Sequence, residues 1–324
     1  MKIAVVGAGA WGTAVGILCA KAQHSVTFIT QFEEQALALQ RLGENAEFLP
    51  EIPVPPEIVA TADYGALSAQ ECIFLACPSK ALPDVCQQLS HCALNTEACF
   101  ISLCKGLQPD RLALPSDVFR SFQFPHIFAV LSGPTHARDV ALGKPTAVVL
   151  ASESESIARH LQKQLQWSTV RIYRSQDVYG VELAGCLKNV YAIGAGISDG
   201  LGYSDNGKCA YIACVLKEMT SIGQALGGQK KTFAGFSGLG DLMATCVGSW
   251  SRNRQFGQDW VRNQRPPEAA TTVEGYSATQ SFYKICQQKH IQAPVLETIY
   301  EILYKKLSVK DAIHRLLTSK LTAQ

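Results

Sequence analysis

Lys2-Ile-Ala-Val-Val-Gly7-Ala-Gly9-Ala10-Trp11-Gly12 is the stretch whose reading decides the fold. Residues 2–6 are apolar and β-prone, a short buried strand. Three glycines at Gly-x-Gly-x-x-Gly spacing follow at once. The apolar run Thr13 to Lys21 then reads as a helix and Ser25 to Thr30 as a second strand. Strand, tight turn, helix and strand in that order form the context in which such glycines cradle a dinucleotide. Gly7 permits the turn, Gly9 lets a pyrophosphate approach the backbone, and Gly12 lets helix and strand pack closely. The helix amino terminus then faces the phosphates. A purely structural glycine turn is the alternative reading.

The end of the second strand chooses between dinucleotides. An acidic residue there binds the ribose hydroxyls, and an arginine accepts a 2′-phosphate. The chain has Gln31 at that point, then Phe32, Glu33 and Glu34, so NAD and NADP both stay open. Downstream, helix is expected over Glu33–Leu42, a proline-studded loop over Glu47–Pro56 and a short strand over Ile58–Thr61. Cys72 to Ala76 is apolar throughout, as a central parallel strand covered on both faces must be. Ligands sit at the carboxyl ends of such strands, which puts Pro78 beside the cofactor. A helix over Lys80–Leu89 and a strand over Ala98–Leu103 follow. Lys105 then stands at a carboxyl edge, as a ligand contact or as an ordinary surface lysine. After the strand His126–Leu131, the small residues Ser132-Gly-Pro-Thr-His-Ala137 open a helix and leave room for a ligand. His136, at that helix start, is expected on the rim rather than in catalysis. Thr146–Ala151 and Val170–Tyr173 are the last strands, with a helix between them capped in Ser152–Ser156. The first domain is expected to be 1–177 and to be Rossmann-like.

With 324 residues, 47% of them hydrophobic and 17% charged, the chain has material for two cores and too little charge for disorder. A net charge of +2 gives no electrostatic case for nucleic acid or an acidic membrane. The strand and glycines after Met1 do not read as a signal peptide, and no apolar run is long enough to span a bilayer. The 12 cysteines show neither Cys-x-x-Cys pairs nor companion histidines. They read as small buried hydrophobes, so no metal is expected and a cytoplasmic location is.

Beyond Asp177 the pattern turns helical to the end of the chain (178–324). Val178 to Ser198 is apolar nearly all round, a buried helix whose only charges are Glu182 and Lys188. Gly180, Gly185, Gly194 and Gly196 weaken it as a helix and imply close packing against its backbone. A buried lysine is costly unless paired or used. It either snorkels to solvent or works in a dry cleft. A glycine-rich loop is expected over Asp199–Asn206, then helices over Gly207–Leu226, Tyr276–Lys289, Pro294–Lys305 and Ser308–Ser319, the last with a Ser308-x-x-Asp311 capping box. A dinucleotide domain followed by a helical one suggests a cleft for a small substrate. Hydride chemistry at an alcohol carbon needs a proton donor, a group to orient it and a hold on the rest of the substrate. Lys188 is the candidate donor, with Asn189 next to it. Asp241, after Gly238-Leu-Gly240, is a carboxylate suited to pair with it, and Thr245 lies one helical turn on. Ser251 reads as a helix cap. The amides after it, with Arg252 and Asn253, form a phosphate cradle or a solvated helix end.

Seven motifs run through the chain in order: Gly-Ala-Gly-Ala-Trp-Gly-Thr-Ala (7–14), Cys-Lys-Gly-Leu (104–107), Ser-Gly-Pro-Thr-His-Ala (132–137), Leu-Lys-Asn-Val-Tyr-Ala-Ile-Gly-Ala-Gly-Ile-Ser-Asp-Gly-Leu-Gly (187–202), Gly-Leu-Gly-Asp-Leu (238–242), Ser-Arg-Asn-Arg (251–254) and Val-Glu-Gly-Tyr (273–276). Together they resemble the bacterial NAD(P)-dependent sn-glycerol-3-phosphate dehydrogenase family. The resemblance implies interconversion of dihydroxyacetone phosphate and sn-glycerol 3-phosphate with NAD or NADP, to supply phospholipid synthesis. It implies Lys188 as acid and base, and substrate contacts from Lys105, Gly133, Thr135, Asp241, Ser251, Arg252 and Asn253. Trp11, Ala137, Arg252 and Glu274 would lie along the cofactor, with Ala10, Gln31, Pro78 and Lys105 nearby. Two departures stand out: Ala10 where the family often has serine or glycine, and Gln31 where it usually has arginine. A reductase of an unphosphorylated keto acid and a non-catalytic dinucleotide sensor are the rival readings. The apolar helical half suggests a homodimer.

Overall fold

The computed structural model describes residues 1–109, 111–263 and 273–318. The chain forms two compact units, Met1–Gln108 with Ala113–Glu182, and Pro109–Leu112 with Leu183–Gln324.

The first unit begins with β1 (Lys2–Val6), α1 (Ala10–Lys21), β2 (Ser25–Ile29) and α2 (Glu33–Leu42). The helix α1 starts three residues before the expected Thr13, because Gly9 is already extended and serves as its amino-terminal cap. The expected loop over 47–56 is instead a small antiparallel ribbon, β3 (Glu44–Asn45) with β4 (Leu49–Pro53). In a two-stranded ribbon both strands are edges, where Pro50 and Pro53 are tolerated. Asn45 pins the ribbon down by donating to Ala8 O at 2.7 Å and Thr13 Oγ1 at 2.8 Å. Then come β5 (Val59–Thr61), β6 (Cys72–Leu75), α3 (Leu82–Ser90), β7 (Cys99–Ser102), α4 (Pro115–Ser121), β8 (Ile127–Ser132), α5 (Ala137–Ala141), β9 (Thr146–Ala151), α6 (Glu155–Leu165) and β10 (Val170–Ser175). The Ser154 hydroxyl caps α6, accepting from Ile157 N at 3.4 Å.

Eight strands form one sheet in the order β10-β9-β8-β7-β6-β1-β2-β5. All neighbours are parallel except β8 and β9. The chain moves outward from β1 through β2 to β5, then returns to β6 on the other side of β1. That reversal is the topological switch point, where ligands of doubly wound sheets bind beyond the carboxyl ends of the strands. Two apolar layers cover the sheet, one including Ile3, Val5, Phe28 and Phe74, the other Ala4, Ile73, Leu75 and Phe100. Continuous burial of β6 and β7 follows from this double cover.

The second unit takes up most of α7 (Val178–Gly200), then α8 (Asp205–Ala225), α9 (Lys230–Phe233), α10 (Asp241–Val247), α11 (Arg252–Asn263), α12 (Glu274–Gln288), α13 (Pro294–Lys305) and α14 (Val309–Thr318). Among its described residues there is no strand. Helix α7 is buried from Val181 to Ile197, and two of its glycines meet neighbouring helices. A Cβ on Gly194 would fall 2.1 Å from Tyr211 Oη and one on Gly196 1.9 Å from Arg254 O. The glycine-rich stretch after Ser198 is less of a loop than its composition suggests. Asp199 and Gly200 complete α7, and only 201–204 remain before α8. The Ser308 hydroxyl accepts from Asp311 N at 3.1 Å, and Ser319 lies outside the described residues. Among the described residues no helix is long and apolar enough to cross a membrane. None of the twelve cysteines is in a disulfide.

Candidate active site

The carboxyl ends of β1, β2, β6, β7 and β8 carry most of the candidate residues of the first unit. Gly7 has φ +104°, and a Cβ there would lie 2.9 Å from the Ala76 carbonyl. Both the backbone angle and the neighbour therefore demand glycine. A Cβ on Gly12 would fall 2.1 Å from Gly7 O, whereas beside Gly9 nothing lies within 4 Å. The loop is thus closed below and open above, as a backbone that receives a pyrophosphate must be. Trp11 Nε1 on α1, Ser79 Oγ after β6 and Ser132 Oγ at the end of β8 are among the buried polar atoms that lack hydrogen-bond partners. Buried donors are rarely left so unless a ligand completes them. The residues present fit a dinucleotide. Ala10 is the first residue of α1 and Ala137 the first of α5, while Pro78 is exposed after β6 and Gln31 after β2.

Lys105, after β7, donates from Nζ to Gly133 O at 2.9 Å and to Thr135 Oγ1 at 3.1 Å. Adjacent strands β7 and β8 make this meeting of three sequence-nominated residues possible. His136 immediately precedes α5, and its Nδ1 lies 3.1 Å from Asp139 Oδ2. Asp139 also pairs with Lys144 at 2.6 Å, and these donors hold its carboxyl below the ordinary carboxylate range.

In the second unit Lys188 does not snorkel. Its side chain is 8% exposed, and Nζ lies 2.5 Å from Oδ1 of Asp241, which is 1% exposed. Two charges removed from water together are tolerable only in such a close pair. Asp241 opens α10 directly after a π-helical turn, Phe236–Gly240, so it lies on a helix and not in a loop. Thr245, one turn on, donates to the Asp241 carbonyl at 2.6 Å. Asn189 points elsewhere, as adjacent helical residues do. Its Oδ1 accepts from Asn253 Nδ2 at 3.1 Å and its Nδ2 reaches Glu274 at 3.4 Å. Asn253 Oδ1 in turn accepts from Gly275 N at 2.9 Å. Ser251 caps α11, its hydroxyl accepting from Arg254 N at 3.3 Å, and Arg252 is exposed at the helix start. The first amides of α11 and one guanidinium therefore share a surface suited to a phosphate.

Sequence reasoning missed Asp199. It takes Arg254 Nε on one oxygen and Lys208 Nζ on the other, each at 2.5 Å, with its own side chain only 8% exposed. Through Arg254 this buried carboxylate anchors the first turn of α11, which also bears Arg252 and Asn253. Its partners lie 9 and 55 positions away, and the glycines after it suggested a loop, so no local signal gave it away.

Comparison with known proteins gives the same picture along the whole chain. Residues 2–158 match the family model for the N-terminus of NAD-dependent glycerol-3-phosphate dehydrogenase, and residues 177–314 match its C-terminal counterpart. The glycerol-3-phosphate dehydrogenase [NAD(P)+] of Citrifermentans bemidjiense is 40% identical over 332 residues, covering 100% of this chain and 98% of that protein. That of Nitrosomonas europaea is 40% identical over 323 residues, covering 98% and 97%. The crystal structure of glycerol-3-phosphate dehydrogenase from Coxiella burnetii superposes with a TM-score of 0.92 at 32% identity, covering 98% of each chain.

Proposed function

Because the chain belongs to the NAD(P)-dependent glycerol-3-phosphate dehydrogenase family, we propose that Lys188 is the acid and base with which it interconverts dihydroxyacetone phosphate and sn-glycerol 3-phosphate. It is an oxidoreductase that uses NAD or NADP. The observation that carries the assignment is the buried pair of Lys188 and Asp241, at 2.5 Å on α7 and α10. Asp241 holds the ammonium in one position. In reduction Lys188 donates a proton to the substrate's ketone oxygen, and in oxidation it takes the proton back. A bound nicotinamide supplies or receives the hydride. Arg252, the first amides of α11 and Asn253 bind the phosphate, and that remote binding energy orients the carbonyl. Lys105, Gly133 and Thr135 are further substrate contacts. Gly7, Gly9, Ala10, Trp11, Gly12, Gln31, Pro78, Lys105, Ala137, Arg252 and Glu274 are the residues that would contact a dinucleotide when one is bound. Twelve cysteines outside any disulfide suit a reducing cytoplasm, where the product feeds phospholipid synthesis. A homodimer is the assembly we assign, since Phe236, Met243 and Val247 leave apolar surface exposed.

Absorbance at the reduced-nicotinamide band tests this reading. Dihydroxyacetone phosphate should consume the band, while unphosphorylated keto acids should not. In Lys188→Met the turnover should fall by about three orders of magnitude with NADH binding intact. Near wild-type turnover in that variant would remove Lys188 from the chemistry.

A further inference from the structure

We propose that the end of β2 accepts the 2′-hydroxyl of NADH and rejects the 2′-phosphate of NADPH. The inference rests on the dinucleotide reading of the first unit and deepens it. In doubly wound folds the residues that follow the second strand meet the adenosine ribose. Here that strand end is tied to the fingerprint loop: Gly7 N donates to Ile29 O at 2.9 Å, and Gln35 Nε2 donates to Ala8 O at 3.2 Å. Whatever lies on the loop therefore also meets Gln31 and the first turn of α2.

Gln31 is exposed, neutral, and both donor and acceptor, the match for a hydroxyl. Phe32 beside it is 60% exposed, an aromatic face left uncovered where the adenosine would lie. The charges there are negative. Glu33 and Glu34 are exposed in the first turn of α2 and already occupy its positive end. Glu33 is fixed by Ala62 N at 3.1 Å, on the loop after β5. Asp63 follows on that loop and accepts from Gly65 N at 2.8 Å.

The cations of the neighbouring elements are elsewhere. Lys21 donates to Ala141 O at 3.2 Å. Arg41 sits in the last turn of α2, eight residues or about 12 Å along the helix from Glu33. Arg138 is held by Pro50 O at 3.0 Å and Glu51 at 2.6 Å. Lys80 follows β6, on the far side of β1 from β2, and His24 lies at the opposite end of β2. Among the described residues of these elements, a 2′-phosphate would meet carboxylates and no compensating cation, which should weaken it by about tenfold or more.

Equilibrium titration of the full-length chain, followed by nicotinamide fluorescence, decides the matter. Wild type should bind NADH about tenfold or more tightly than NADPH, and the gap should narrow with salt. Gln31→Arg and Glu34→Gln should each move the ratio toward NADPH. Equal or tighter binding of NADPH by wild type overturns the proposal. A preference for NADH that neither substitution changes overturns its assignment to this strand end. Failure of both cofactors to bind overturns the cradle and this inference together. Tight NADH binding without turnover of dihydroxyacetone phosphate overturns the dehydrogenase reading alone.

Discussion

Glu182 and Lys188 are the two charges of an otherwise apolar helix, and burial treats them in opposite ways. Lys188 has an ion partner. Glu182 has neutral ones: Ser116 N donates to Oε1 at 2.9 Å and the Ser116 hydroxyl lies 2.5 Å from Oε2. Burial dominates those bonds and pushes the carboxyl from 4.5 up to about 8. The unfolded chain releases this proton near 4.5, while the folded chain keeps it until about 8. Stability therefore falls as pH rises through that window, by about 1.4 kcal/mol per pH unit, and is flat on either side. Glu182→Gln keeps both hydrogen bonds and cannot ionise. Urea unfolding of the two proteins at pH 5 and pH 8 should show wild type losing stability relative to the variant. A difference that does not vary with pH would mean that Glu182 is folded in its charged form. Both residues were conspicuous in the sequence as charges where none belonged, but their partners were not, because Ser116 and Asp241 are 66 and 53 positions away.

At the level of elements, α7 and α11 touch backbone to backbone. A Cβ on Gly196 would stand 1.9 Å from Arg254 O, and one on Gly257 2.1 Å from Ile193 O. No side-chain rearrangement relieves a clash with a carbonyl, so Gly196→Ala must push α11 outward. We expect a loss of about 1–3 kcal/mol in stability, read by thermal unfolding. We also expect a higher KM for the phosphorylated substrate than for wild type, because Arg252 and Asn253 move with the helix. Unchanged KM in a destabilised variant would separate the packing of α11 from phosphate binding. The glycines of α7 announced a close neighbour in the sequence. Nothing local said that the neighbour was the helix bearing Arg252.

Taken whole, the chain has two units, and the proposed dinucleotide cradle belongs to the first. A dinucleotide held by the folded chain alone must stabilise it by mass action. At about 100 times its dissociation constant, NADH should add about 2.7 kcal/mol, and the thermal midpoint should rise by several degrees. No rise at such excess would mean that the cradle does not hold NADH in the native state. The parallel central strands were legible because alternating strands and helices enforce parallel crossovers. The antiparallel step from β8 to β9 was not. Only residues 133–145 connect the two, with the five-residue helix α5 inside them, too little chain for a covering crossover helix. The β3–β4 ribbon was hidden for another reason: its prolines argue against strands everywhere except at an edge.

The helix α7 has a bearing on how genes of this kind can vary. Lys188 meets α10, Asn189 and Gly196 meet α11, and Tyr191 donates to Glu218 at 3.0 Å on α8. Each residue turns the helix by about 100°, so the helix works as a camshaft whose lobes are phased to three different followers. One codon inserted between Asn189 and Gly194 would throw every lobe beyond it about 100° out of phase with Lys188. A point change disturbs one lobe; a change of length disturbs all those beyond it. Insertions and deletions among descendants of this gene should therefore collect in stretches such as 201–204, and stay out of 188–197 altogether.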